Sequence, residues 1–142
     1  MKFKSNFSFA KMLSYAKSKK FHKQSGTSII DPMVKDSKKF IKSNKVTPAT
    51  STKTLKERHL RESPKSIGGN TTLYDTGKLH DSIKRSTSVD YGIDVIKYAN
   101  KHLEGDGVPQ RNFLVLDPKN EEKAVKKIVE KLLDVSVAKM SK

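Results

Sequence analysis

No cysteine occurs in the 142 residues of this chain, and no apolar run approaches the roughly 20 residues that a membrane-spanning helix needs. The first absence excludes a disulfide framework, and the second is atypical of an integral membrane protein. The basic residues at the start of the chain are not followed by the apolar stretch of a signal peptide. We therefore expect a soluble protein of a reducing compartment, with no membrane as partner.

Histidine is scarce as well, which bears on metal and cofactor sites. The four histidines are His22, His59, His80 and His102. No two of them stand at the spacing that metal sites use. Glu104 and Asp106 follow His102 closely, but we interpret this histidine as a structural residue at the end of a short helix. We expect neither a bound metal nor a cofactor.

Acidic residues are few in the first half of the chain. The formal net charge is +15, and residues 1–70 carry 17 Lys and Arg against 4 Asp and Glu. Residues 71–142 carry 13 against 11, so they contribute only +2. Such asymmetry is typical of a surface that faces a polyanion or an acidic partner. A solubilising, lysine-rich arm explains it equally well, and both readings stay open.

Apolar residues make up 34% of the chain, and the mean hydropathy is −0.68. For a chain the size of one ordinary domain, these values predict a modest core with appendages. We divide the chain into a basic helical region over residues 1–45 and a second domain over residues 46–142. The fold class we expect is α+β: a small antiparallel β-sheet packed against a C-terminal helix, with one or two N-terminal helices projecting.

Two helices are predicted in the first region. Apolar residues recur at helical spacing behind Ser8, a suitable N-cap, which predicts a helix over residues 8–22 with Gly26 ending the segment. The apolar pattern resumes after residues 27–28, where a second helix is expected to begin. Pro32 suits the first turn of that helix.

The second region alternates short elements with turns. The predicted elements are a helix over Ser51 to His59, a helix over Thr76 to Ile83, strands over Ile83 to Val89 and Tyr91 to Ile96, a helix over Tyr98 to Leu103 and a buried strand over Phe113 to Leu116. A C-terminal helix from about Pro118 to about Val137 is the clearest element. Asp117 is its expected N-cap, and apolar residues follow at helical spacing.

Residues 75–77 read Asp-Thr-Gly, the tripeptide of retroviral-type aspartic proteases, in which two such loops bring paired carboxylates together. That fold is almost entirely β, whereas this chain has a lysine-rich first half and a long predicted helix at its end. We therefore interpret Asp75 as the N-cap of the helix that begins near Thr76. Leu79 and Ile83, four apart, would anchor that helix to the sheet, and Arg111 would pair with a carboxylate in the subunit or across an interface.

Two other catalytic patterns fail on spacing. Gly77-Lys78 is followed by Leu79, where a phosphate-binding loop needs Ser or Thr. His80, Asp81 and Ser82 are consecutive, and since neighbours point in different directions on a helix, we expect no catalytic relay among them. The sequence predicts that the protein is not an enzyme.

Three motifs follow one another in the second region. They are Leu-x-Asp-Thr-Gly-x-Leu-x-x-Ser-Ile from Leu73, Tyr-Ala-x-x-His-x-x-Gly from Tyr98, and Pro109-Gln110-Arg111-Asn112-Phe113. In order and spacing, the block from about Val46 to about Val135 resembles the phage virion morphogenesis family, where the last motif usually has proline in place of Asn112. The matched positions are Leu73, Asp75, Thr76, Gly77, Leu79, Ser82, Ile83, Tyr98, His102, Gly105, Pro109, Arg111 and Phe113.

The family includes the Mu-type tail completion proteins and is similar to neck proteins of other long-tailed phages. The resemblance implies a structural protein of the virion, made in the host cytoplasm, that forms a homo-oligomeric ring at the neck as a head-tail connector, tail completion or tail terminator protein. Its partners would be portal, connector or tail proteins, with non-specific contact to double-stranded DNA in the channel. A basic, non-specific nucleic-acid-binding protein is the competing hypothesis.

Overall fold

The computed structural model describes residues 8–137, which form six helices and one β-hairpin. The elements are α1 (Phe9–Ala16), α2 (Lys19–Lys42), α3 (Thr52–Leu60), α4 (Lys78–Ser82), β1 (Lys84–Arg85), β2 (Ile93–Asp94), α5 (Ala99–Glu104) and α6 (Pro118–Val137). The two strands are antiparallel, with Lys84 opposite Asp94. The α+β class is confirmed, as are the extent of α6 and, to within a residue or two, those of α3 and α5. No helix in residues 8–137 is both long and apolar enough to cross a bilayer.

The two N-terminal helices have other boundaries than the predicted ones. Ser8 caps α1 as predicted, but this helix already ends at Ala16. Ser18 then caps α2 by accepting a hydrogen bond of 3.2 Å from the backbone N–H of Phe21. Helix α2 runs without a break through Gly26 and Pro32, so the predicted end at Gly26 and the predicted start after residues 27–28 are both wrong.

Gly26 is buried in the middle of α2 because the β-hairpin loop packs directly on it. A Cβ atom built at this position would lie 1.9 Å from the backbone oxygen of Asp90. Glycine is therefore required here because it lets the two backbones approach closely. The low helix propensity of glycine is tolerated because tertiary packing stabilises the helix. From the sequence alone, a glycine that ends a helix cannot be distinguished from one inside a helix on which another segment packs closely.

The core is small and draws on both predicted regions. Its fully buried members are Ile41, Val46, Leu79, Ile83, Ala99 and Phe113. Ile41 comes from the end of α2, whereas the other five lie beyond residue 45, so the regions divided at that residue share one core. A core of this size agrees with the low apolar content of the chain.

Helix α2 lies between the other parts of the fold. It packs on α1 and α6 and also contacts β1 and α4. The predicted sheet is present, but α2 and not α6 is the helix that covers it. The N-terminal helices do not project, since α1 packs along α6 and the backbone N–H of Ser8 donates to the carbonyl of Ser136 at 3.2 Å.

The apolar run before α6 is not a strand, contrary to the prediction for Phe113 to Leu116. Its backbone hydrogen bonds go to side chains of α2 instead of a second strand. The carbonyl oxygen of Val115 accepts a hydrogen bond of 3.2 Å from the hydroxyl of Ser37, and the N–H of Val115 donates to the same hydroxyl at 3.0 Å. The N–H of Asp117 donates to the carboxylate of Asp36 at 2.9 Å. These bonds satisfy both backbone groups of Val115 and the N–H of Asp117 without a partner strand.

Replacing Gly26 with alanine tests the close approach of the hairpin loop to α2. Helix propensity alone favours alanine by about 1 kcal/mol. The clash with the Asp90 backbone oxygen reverses that preference, and we expect Gly26→Ala to lower the free energy of unfolding by about 1–3 kcal/mol, the usual range for overpacking. Urea unfolding followed by circular dichroism measures the change.

Lys23→Ala is the matched control, since Lys23 is an exposed residue of the same helix. Its effect should stay within about 0.5 kcal/mol. A Gly26→Ala variant more stable than the parent protein would show that the hairpin loop does not pack on α2 in solution.

Candidate functional site

Most of the matched motif positions converge on one cleft of about 420 Å³ between α3, α4 and α5. Nine of the thirteen line it: Leu73, Asp75, Thr76, Gly77, Leu79, Tyr98, His102, Pro109 and Arg111. Residues 49–51 close the cleft from the side of α3. The three motifs lie within residues 73–113, and the fold brings them together with residues 49–51 into a single site.

The four other matched positions are structural neighbours of the cleft. Ile83 and Phe113 are fully buried in the core. Gly105 ends α5 in the left-handed conformation, with φ of 80°. The Ser82 hydroxyl donates to the carbonyl of Leu79 at 2.7 Å and accepts from the N–H of Ile96 at 3.0 Å, so it ties α4 to the segment after β2.

Asp75 does not cap α4, contrary to the prediction. The N-cap position is Gly77, whose φ of 79° lies in the left-handed region, and no side chain caps this helix end. The Asp75 carboxylate instead accepts hydrogen bonds of 2.9 and 2.8 Å from Nη2 of Arg61 and lies 3.8 Å from Nε of Arg58. Burial acts to raise the pKa of Asp75, but the Arg61 hydrogen bond and the two arginine charges outweigh it, and the net shift is downward.

Arg111 is the most constrained side chain of the site, with 7% of its surface exposed. Its guanidinium donates to the carbonyls of Pro48 at 2.8 Å, Ala49 at 3.3 Å and Pro109 at 3.3 Å. The backbone N–H of Arg111 donates to the carbonyl of His102 at 2.6 Å. Arg111 makes no ion pair within residues 8–137, so the predicted pairing inside the subunit is not found there.

Burial and neighbouring charges shift the pKa values of three residues in the cleft. Burial, and next the positive charge of Arg111, lower the pKa of His102, whose Nδ1 lies 3.4 Å from the guanidinium. Burial and the Asp75 carboxylate raise the pKa of Tyr98. Burial and the charge of Arg58 lower the pKa of Arg111 itself. His102 is therefore held in its neutral form beside a permanent cation.

Leu73 adopts an unusual backbone conformation at the edge of the cleft. Its φ of 62° lies in the left-handed region, which a bulky residue rarely enters. Packing of its side chain against the core and hydrogen bonds on both sides hold it there. Thr72, the residue before it, donates its N–H to Oδ1 of Asn44 at 2.8 Å, and its hydroxyl accepts from the N–H of Thr50 at 3.2 Å.

The catalytic arrangements considered from the sequence are not assembled in this cleft. Asp75 is paired with two arginines and not with a second carboxylate, as proton sharing in an aspartic protease would require. His80 and Asp81 do touch, with 2.7 Å between Nδ1 and Oδ1, although their adjacency argued against contact. The Ser82 hydroxyl is bonded elsewhere, so no relay of the three exists. Within residues 8–137 no cluster of potential metal ligands occurs.

Two arginines of the site were missed from the sequence. Arg58 and Arg61 lie at the end of α3, and Arg58 also donates to the carbonyl of Thr71 at 3.0 Å. Because they are three residues apart on a predicted helix, the two arginines are expected to share one face of it. No nearby residue in the sequence indicates that this face contacts Asp75. With Lys78 and Arg111, these side chains give the cleft an excess of positive charge.

Comparison with family models, with curated proteins and with solved structures finds no match to this chain. The resemblance to the virion morphogenesis family consequently rests on the motifs of this sequence and on their convergence. Chemically, the cleft offers fixed cations, a neutral histidine and apolar walls.

Arg111→Lys tests whether the guanidinium holds the cleft together. Lysine keeps the positive charge, but its single ammonium group cannot donate to all three carbonyls that the planar guanidinium binds. We therefore expect the free energy of unfolding to fall by about 2 kcal/mol. Chemical unfolding measures it. Arg85→Lys is the control: the Arg85 side chain is 42% exposed, and its contacts with Thr27 and Asp31 should be worth less than about 1 kcal/mol. Equal losses in both variants would contradict the special role of Arg111.

His102 makes stability depend on pH below neutrality. Its pKa in the folded protein is below the ordinary 6.5, so in mildly acidic solution the unfolded chain binds a proton that the folded protein does not. Stability should therefore fall as the pH drops below 6.5 and level off, for this residue, below its folded pKa. Thermal unfolding from pH 7.5 to 5 should show a smaller slope in His102→Asn than in the parent protein. A His102→Asn slope equal to that of the parent protein would contradict the assignment.

Proposed function

We propose that this protein is a structural component of a tailed-phage virion that forms a homo-oligomeric ring at the neck or the head-tail junction. The observation that carries the proposal is the convergence of the motif residues on one hydrogen-bonded cleft. Their side chains brace loops and helix ends against one another, which is the work of a scaffold and not of a catalyst. On this proposal the protein is not an enzyme and acts in the virion, after synthesis in the host cytoplasm.

Exposed apolar residues support assembly into a larger structure. On α1, Phe9 is 62% exposed, and on α6, Val125 and Val129 are about half exposed. The core of this chain is small, so leaving large apolar side chains in water costs it stability unless another surface covers them. Subunit contacts in a ring, and contacts with portal, connector or tail proteins, would cover such faces.

The basic surface of α2 supports contact with a polyanion. Its solvent-exposed cations include Lys19, Lys20, Lys23, Lys35, Lys39 and Lys42. In a ring at the junction, this surface would face the double-stranded DNA that passes through the channel. The same lysines favour the alternative, a basic protein whose function is non-specific nucleic-acid binding as a monomer.

Electron microscopy of the purified protein distinguishes the two proposals. We expect closed rings of uniform subunit number, because heterologous contacts that close give a fixed stoichiometry. Mass spectrometry of purified virions should detect the protein as a stoichiometric component. A strictly monomeric protein absent from virions would contradict the structural role.

Binding to double-stranded DNA at two salt concentrations completes the comparison. For the ring protein we expect weak binding by the free subunit, lost at moderate salt. Tight binding by an isolated monomer, with a steep fall in affinity as salt rises, would favour the nucleic-acid-binding alternative.

A further inference from the structure

The outer face of α6 is an apolar stripe with acidic flanks. Val125, Val129 and Leu133 follow at four-residue spacing and are 53%, 46% and 46% exposed. Pro118 continues the stripe toward the start of the helix. The residues beside it are Glu121, Glu122, Lys126 and Glu130, three acids and one base in a chain of net charge +15. No other element packs on this stripe in residues 8–137, since α1 and α2 contact other sides of α6.

The charge of the stripe restricts what can cover it. An antiparallel pairing of two such stripes would bring glutamates of one copy against glutamates of the other, which destabilises the contact. A nucleic acid or an anionic membrane surface would be repelled by the same carboxylates. A surface that is both apolar and positively charged fits best.

The cleft described above is such a surface. Leu73, Val108 and Pro109 give it apolar walls, and Tyr98 is 44% exposed at its edge. Among its charged lining residues, Arg58, Lys78 and Arg111 outnumber Asp75, whose charge is already engaged by arginines. Arg111 in particular carries a buried charge whose side-chain partners within residues 8–137 are carbonyls and an imidazole, so a carboxylate brought near it would be favoured.

The two surfaces lie apart within one chain: in residues 8–137, α6 packs on α1 and α2 but on none of α3, α4 and α5, the helices that form the cleft. The acidic-apolar stripe of α6 and the basic-apolar cleft are thus complementary surfaces that meet only between copies. A contact between two different surfaces of the same chain is heterologous, and repetition of it gives a ring if the rotation closes.

We propose that the α6 stripe of one copy docks in the Arg58–Lys78–Arg111 cleft of the next copy, with Glu121 and Glu122 facing the cations. This inference rests on the proposed ring and names the contact that builds it. The interface is directional: each copy offers its helix to one neighbour and its cleft to the other.

Cross-linking of engineered cysteines tests the contact without interference, because the chain has no cysteine of its own. Thr54→Cys places a thiol at the exposed edge of the cleft, and Val125→Cys places one on the stripe. With a bis-maleimide, the double variant should give a ladder of multimers on a denaturing gel, whereas each single variant should stay monomeric. The control pairs Val125→Cys with Val89→Cys, a 57% exposed valine of the hairpin loop, and should give no ladder.

Charge reversal provides a second readout. Glu122→Lys and Lys78→Glu should each weaken self-association about tenfold in analytical ultracentrifugation, and the two together should recover most of the loss. A dimer from Val125→Cys alone would overturn the proposal in favour of a symmetric α6 pair. Absence of a ladder from the double variant would also overturn it.

Microscopy of the same preparations separates this inference from the proposed function. Rings without a ladder would overturn the contact but leave the ring. A ladder from open filaments, with no closed rings, would support the contact and contradict the ring.

Discussion

The cleft depends on the guanidinium of Arg111, which fastens the chain before α3 to the chain after α5. Pro48 and Ala49 lie 63 and 62 positions before Arg111, and they belong to a segment outside any helix or strand. A planar group with five N–H donors can bind several carbonyls of different segments at once, which an ammonium group cannot do. The cost is a buried positive charge without a carboxylate in residues 8–137, and after burial this charge is the second cause that lowers the pKa of His102.

Helix α2 supplies the second constraint, because it takes the place of a sheet. In many α+β proteins a helix packs on strands that bond to each other, but here the segment before α6 bonds to Ser37 and Asp36 of the helix itself. Side-chain oxygens thus complete backbone hydrogen bonds that a neighbouring strand would otherwise make. The arrangement also helps a chain with so few apolar residues to bury a core, because one long helix packs on α1, α4, α6 and β1.

The sequence was informative where local chemistry decides the structure. The N-cap at Ser8 and the Asp117-Pro118 start of α6 are local signals, and helices begin there. Predictions that needed distant partners were wrong: Gly26 has its role because Asp90 approaches, and Asp75 meets arginines of α3 instead of capping α4. The motif residues were named from the sequence, but Arg58 and Arg61 were not, since only the fold brings them to Asp75. The hydrogen bonds between Ser37 and Val115 were likewise not predictable, because apolar periodicity reports on one element and not on its distant partners.

The strands of this protein are only two residues long, and this brevity matters for a chain that presents apolar surfaces to other molecules. A long open edge would offer unpaired N–H and C=O groups to any extended peptide, and aggregation by strand addition would compete with ordered assembly. Two residues offer too few such groups to template a growing sheet. In the proposed assembly, association would be left to side chains, whose shape and charge discriminate between partners, and selectivity would follow from the short edge of the sheet.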